Sequence, residues 1–247
     1  MTFLAGATFD GRYVYFAPSY QGVAVRFDTH SAFDSRASWS QFDTKTRPVG
    51  QVCFVGATFD GRYVYYLPLV NCSPSGAGTP LVTRYDTQMP FDGASSWSTY
   101  NDGNGWSGYC GGVFDGRYLY LLPSGTNNRT FGQSLVRRYD TRAAFTDALS
   151  WVSFDATSLD PGVNGSAEGR STGSTSISFR TAVLAARYDT FTDFRTRSSW
   201  STFAVPQLAP LAMGFYGAGF DGRYTYFVPN NVARVGEQCS FDAVLAR

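Results

Sequence analysis

Few side chains in this sequence are suited to proton chemistry. There is one histidine, His30, and one lysine, Lys45. A Ser-His-Asp triad is excluded in practice by the single histidine. Outside the repeated motifs described below, the carboxylates that could converge on a substrate are Asp102, Asp155, Asp160, Glu168 and Glu237. Glycoside hydrolysis needs two such groups held rigidly around one bond, and none of the five is embedded in a strand pattern that would hold it. Asp102-Gly103-Asn104-Gly105 places oxygen ligands at alternate positions, as a fragment of a calcium loop would. Further acids and a closing Glu do not follow, so a turn is expected there and no metal. The four cysteines form no C-x-x-C pair, which leaves zinc without a ligand pattern. No glycine-rich phosphate motif follows a strand and opens a helix, so no nucleotide and no other cofactor is expected.

What remains is chemistry of contact. Trp106 and Tyr109 flank the Asp-Gly-Asn-Gly turn. They could stack on a sugar or another planar ligand, or form the core of their own loop. Asn71-Cys72-Ser73, Asn128-Arg129-Thr130 and Asn164-Gly165-Ser166 fit the glycosylation triplet, which matters only in a eukaryotic secretory route.

Composition narrows the class. Of 247 residues, 43% are hydrophobic, 17% aromatic and 16% charged, with a net charge of +1. That balance excludes a disordered tail, a coiled coil and an electrostatic binder of nucleic acid. No apolar run approaches ~18 residues, so no membrane helix is expected. Met1 to Ala5 lack the basic and apolar regions of a signal peptide. The compartment and the oligomeric state stay open.

The chain repeats itself. Phe-Asp-Gly-Arg-Tyr begins at Phe9, Phe59, Phe114 and Phe220, and a decayed copy stands at Ala167-Glu168-Gly169-Arg170. Arg-(Phe/Tyr)-Asp-Thr begins at Arg26, Arg84, Arg138 and Arg187. A tryptophan follows each of these arginines by 13 residues, at Trp39, Trp97, Trp151 and Trp200. Ala243-Val244-Leu245-Ala246-Arg247 matches Ala182 to Arg187 apart from one alanine, so Arg247 opens a fifth copy. Five units of about 50 residues result, a period typical of solenoids and propellers.

Each unit reads as four strands. In the first they are Gly6–Phe9, Arg12–Phe16 ended by Pro18, Val23–Phe27 and Ser38–Phe42, with Asp10-Gly11 as a two-residue hairpin turn. The expected fold is therefore all-β, a five-bladed β-propeller of four-stranded antiparallel blades forming one domain over residues 1–247. The blades are expected near 3–45, 46–103, 104–156, 157–205 and 206–247. The last is expected to be three-stranded and closed by packing against the first. Gly6, Gly56, Gly111 and Gly217 suit innermost strands crowded at a narrow axis.

The order Gly-Ala-x-Phe-Asp-Gly-Arg-Tyr-x-Tyr, Arg-Tyr-Asp-Thr, Trp resembles the kelch repeat. Two features depart from it. A proline (Pro18, Pro68, Pro123 or Pro229) stands where that family ends its second strand with a double glycine, and most kelch domains have six or seven blades. The resemblance implies a propeller used for interaction rather than catalysis.

Spacing separates frame from site. The Asp-Gly turn and the 13-residue connection, with Phe33, Phe91, Phe145 or Phe194 at a fixed offset, admit no insertion and share one face. The motif acids and arginines are expected to be structural there, with the Arg12 and Asp28 types pairing in each blade. On the other face, proline to motif arginine spans 8, 16, 15 and 18 residues in units one, two, three and five. Length-variable loops on a rigid scaffold are where binding concentrates. The expected ligand contacts are Tyr20, Arg47, Asn71, Asp102, Asn104, Trp106, Tyr109, Asn128, Arg129, Tyr216, Asn231 and Glu237. Cys53 is placed opposite Pro68, within reach of Cys72 for a disulfide if the Cα atoms lie within ~7 Å. The resulting expectation is a non-catalytic scaffold that binds a protein or carbohydrate partner. A lectin with repeated inter-blade sites and an enzyme at the channel mouth are the alternatives.

Overall fold

The computed structural model describes residues 4–19, 21–46, 48–50, 53–69, 81–101, 108–123, 135–159, 184–204 and 215–229. Among them there is no α-helix, and β-strands alternate with single 3-10 turns. Strands β1 (Leu4–Phe9), β2 (Tyr13–Pro18), β3 (Val23–Asp28) and β4 (Trp39–Asp43) form one antiparallel sheet in chain order. The second sheet repeats this with β5 (Phe54–Phe59), β6 (Tyr63–Pro68), β7 (Val82–Asp86) and β8 (Trp97–Tyr100). The third does so with β9 (Tyr109–Phe114), β10 (Tyr118–Pro123), β11 (Leu135–Asp140) and β12 (Trp151–Asp155).

The fourth sheet departs from the expected assignment of units to sheets. It contains β13 (Leu184–Asp189), β14 (Trp200–Ala204), β15 (Phe215–Phe220) and β16 (Tyr224–Pro229), in the spatial order β14-β13-β16-β15. Tyr188 faces Thr225 and Asp189 faces Tyr224, the pairing that Tyr13 and Asp28 make within the first unit. The outer strands of unit four and the inner hairpin of unit five thus supply one sheet. The five-sheet expectation is corrected accordingly: the described residues form four sheets of four strands. The reason is legible in the chain. Unit four carries only a decayed copy of the Phe-Asp-Gly-Arg-Tyr motif, at Ala167 to Arg170, while unit five carries the intact motif at Phe220. The inner hairpin of unit five offers an edge on which the outer strands of unit four pair. Residues 230–247, with the fifth arginine, lie outside the described residues.

The first strands of successive sheets lie side by side, β1 on β5, β5 on β9 and β9 on β15. Small residues permit this. A Cβ on Gly6 would stand 3.2 Å from the Cα of Gly56, and one on Gly112 would stand 2.9 Å from Cδ1 of Leu67. Three apolar clusters fill the spaces between the sheets. One joins Tyr15 and Phe42 to Tyr85, Phe91 and Trp97, the next joins Tyr65 to Tyr139, Phe145 and Trp151, and the third joins Tyr120 and Phe154 to Tyr188, Phe194 and Trp200.

The hairpin turn sits one residue later than expected. Asp10 pairs with Tyr13 through its N–H to the Tyr13 carbonyl (3.2 Å), so Gly11 and Arg12 are the central residues. Gly11 has φ +103°, which the first central position of a primed turn requires and glycine supplies without strain.

The composite sheet makes a direct prediction. With Asp189→Cys and Tyr224→Cys introduced at facing positions, mild oxidation should yield an intrachain disulfide identifiable by peptide mapping. Cross-strand Cβ atoms lie roughly 4.5–5.5 Å apart, within reach of a bridge after small adjustment. If no such link forms, β13 and β16 do not share a sheet.

Candidate functional site

The repeated residues are consumed by the fold. In the first sheet, one carboxylate oxygen of Asp10 accepts the backbone N–H groups of Arg12 (2.8 Å) and Tyr13 (2.6 Å). The other accepts the hydroxyl of Tyr15 (2.7 Å). Asp60 and Asp115 repeat the arrangement with Tyr65 and Tyr120 at the same distance. These tyrosines are buried, and burial, reinforced by the adjacent aspartate, pushes each hydroxyl above its ordinary range.

The next motif closes on the same turn. The Arg12 guanidinium donates to both carboxylate oxygens of Asp28, from Nε at 3.2 Å and Nη2 at 2.7 Å. Arg62–Asp86, Arg117–Asp140 and Arg223–Asp189 pair likewise at 2.8, 2.7 and 3.0 Å. The expected pairing holds, and the last pair crosses from unit five to unit four. Thr29 ties its strand to the turn by donating Oγ1–H to the Arg12 carbonyl at 2.6 Å. Each tryptophan indole donates to the carbonyl of the phenylalanine six residues earlier, Trp97 to Phe91 and Trp151 to Phe145.

The motif arginines bind sheet to sheet. The Arg26 guanidinium lies over the Tyr13 ring of its own sheet (4.1 Å) and the Phe91 ring of the next (4.9 Å). Its Nη1 donates to the Tyr85 hydroxyl at 3.2 Å, which donates in turn to the Met89 carbonyl at 2.6 Å. Arg138 makes the same set with Tyr118, Phe194 and Tyr188. Nε of both arginines is buried without a hydrogen bond. The aromatic faces on either side of the guanidinium stand in for a partner. Burial raises the Tyr85 and Tyr188 hydroxyls to about 12, so these groups stay protonated at neutral pH. None of these groups is left over for acid–base work.

Strand direction puts every Asp-Gly turn and every connection to a tryptophan at one end of the sheets. His30 is there, its N–H bonded to Asp28 at 3.0 Å. All the length-variable connections leave from the opposite end. Of the expected ligand contacts, Tyr20, Arg47, Asn71, Asp102, Asn104, Trp106, Asn128, Arg129, Asn231 and Glu237 lie outside the described residues, and Tyr216 is placed only as a backbone position in β15. Tyr109 is corrected. It is buried in the cluster with Cys53, Leu67 and Trp151, so its ring is not open to a ligand. The opening of β9 turns inward there, the alternative of a core role that its sequence also allowed.

Cys53 also sits differently from expectation. The register shift at Gly56 places Phe54 opposite Pro68, and the Cys53 carbonyl accepts the Leu69 N–H at 3.1 Å. Its expected disulfide partner, Cys72, lies outside the described residues. At the same end Thr44 caps the β2–β3 connection. It is buried, and its N–H and Oγ1–H both reach the Gly22 carbonyl, at 2.6 and 2.9 Å. No cluster of three or more metal-ligating side chains occurs among the described residues. No helix among them is long and apolar enough to cross a membrane. No protein-family model matches the chain, and no curated protein matches it in sequence.

The ion pairs set a pH dependence. The hydrogen bond from Arg12 holds the Asp28 carboxyl down at about 2, and those from Arg62 and Arg223 lower Asp86 and Asp189. A depressed folded pKa contributes stability above the unfolded carboxylate value of ~3.9 that is lost as pH falls toward the folded one. The urea midpoint should therefore drop between about pH 4 and 2. Replacing Arg12, Arg62 and Arg223 with Gln should flatten that slope. An unchanged slope would show that the pairs do not couple to folding.

Proposed function

We propose that the chain is a kelch-like, propeller-type recognition scaffold that binds a protein or carbohydrate partner through its variable connections and performs no catalysis. The observation that carries this is the internal use of the repeated polar residues in the first three sheets. Asp10, Arg12, Arg26, Asp28 and Thr29 each have a partner inside the fold, and their counterparts in the second and third sheets largely repeat these contacts. What differs from unit to unit is the set of connections at the other end. The side-by-side first strands fit a radial arrangement about an axis, and the strand ends from which those connections leave share one side of it. Because they differ in length and composition, they favour one composite site over several equal ones. The aromatic and guanidinium packing between sheets leaves little room for sugar sites there, which speaks against the inter-blade lectin reading.

The proposal is tested on an array carrying glycans and proteins. Residues 70–80 and 124–134 are each replaced by a link as short as that between β2 and β3. Binding by the parent chain should be lost in one or both variants, while the thermal midpoint moves by only ~2–3 °C, as expected for a change of loop length between strands that are kept intact. Binding that survives both replacements places the site elsewhere.

A further inference from the structure

The interface between successive sheets is built three times from the same two halves. One half is a motif arginine and the aromatic residue of the fourth strand. The other is the aromatic trio of the next sheet. Phe42 stacks on Trp97 (4.4 Å, 11°), Tyr100 on Trp151 (5.1 Å, 21°) and Phe154 on Trp200 (4.2 Å, 11°). Arg26, Arg84 and Arg138 lie over Phe91, Phe145 and Phe194 at 4.9, 4.3 and 4.7 Å.

Among the described residues, each half also occurs once without its complement. The first sheet carries the receiving trio, Phe27, Phe33 and Trp39, packed on one another at 4.7 to 5.4 Å. Phe33 is 71% exposed, against 1%, 3% and 0% for Phe91, Phe145 and Phe194. The fourth sheet carries the donating half. Arg187 lies over Tyr224 at 4.6 Å and is exposed, unlike the other three motif arginines. Phe203 is 49% exposed, against 6% for Phe42 and 5% for Phe154. Among the described residues, no packing joins β15 to β1 as it joins β1 to β5.

We propose that these two faces dock on one another between two copies of this chain, head to tail. Phe203 of one copy covers Trp39 of the other, and its Arg187 covers Phe33. The internal interfaces specify the occupant. The face is one that an arginine and a ring fill three times over in this molecule, and the chain's own fourth sheet holds the spare set. The cation also suits the trio, because the aromatic faces are electron-rich. Phe27 replaces the tyrosine found in the other trios, so the incoming arginine gains ring contact there without the hydroxyl bond of Arg26 to Tyr85. A contact of unlike faces is heterologous, and each copy keeps one face free for the next.

The experiment is light scattering on size-separated protein over a range of concentrations. The parent chain should grow in mass with concentration. Phe33→Asp and Phe203→Asp should each stay at monomer mass with an unchanged far-UV spectrum, since both side chains are exposed. Mixed one to one, they should form a dimer of twice the chain mass, because one intact face remains on each. A parent chain that stays monomeric, or a mixture that does not pair, overturns the proposal. So does association that survives in either variant. A Trp39→Cys, Phe203→Cys chain provides an arm that does not depend on the aspartate variants folding. Its disulfide should link two chains, and a disulfide within one chain overturns the proposal in favour of ring closure.

Discussion

One carboxylate in each of the first three sheets holds the rest together. Asp10, Asp60 and Asp115 fix a two-residue turn through two backbone N–H groups and at the same time anchor a buried tyrosine hydroxyl. The ring of that tyrosine reaches the next sheet. Tyr15 meets Tyr85 and Phe91 at 5.8 and 6.0 Å, and Tyr120 meets Tyr188 and Phe194 at 5.9 Å. A hydroxyl buried among aromatic rings would cost ~1–3 kcal/mol if left without a partner. The aspartate removes that cost from the edge of the core, so turn geometry, strand register and sheet spacing are set by one group. The Asp-Gly spacing cannot vary without losing all three.

The same economy explains why repetition marks the frame. The Arg12–Asp28 pair, the Thr29 cap and the indole bond of Trp39 to Phe33 each close a connection at the turn end of the first sheet. The arginine of the second motif works between sheets, where stacked rings add roughly 0.5–1.5 kcal/mol each beyond their burial. Residues committed in this way cannot drift without loss of packing. The connections leaving the other end differ in length from unit to unit.

Much of this was legible in the chain. The Phe-Asp-Gly-Arg-Tyr and Arg-Tyr-Asp-Thr motifs announced the strands within one or two residues, and their fixed offsets announced the Arg–Asp pairs. The number of sheets was not legible from counting motifs, because a motif reports half a sheet. The hairpin after Phe220 and the strands from Leu184 to Ala204 complete each other across a unit boundary, which only pairing reveals. The role of Arg26, Arg84 and Arg138 was also missed. Repetition alone assigns them to the turn-end frame, whereas each faces the neighbouring sheet. The signal available was the aromatic at a fixed offset, Phe91, Phe145 or Phe194, on which each arginine closes. Exposure of Phe33 could not have been foreseen, since its sequence context matches that of its buried counterparts.

The coupling energy between Asp60 and Tyr65 is the most direct measure of the central carboxylate. It is obtained from urea unfolding of the parent chain, Asp60→Ala, Tyr65→Phe and the double variant. If the aspartate is what satisfies the buried hydroxyl, the two single losses overlap and the coupling is about 1–2 kcal/mol. Losses that add within ~0.3 kcal/mol would mean that the two groups act independently and that the turn does not set the core.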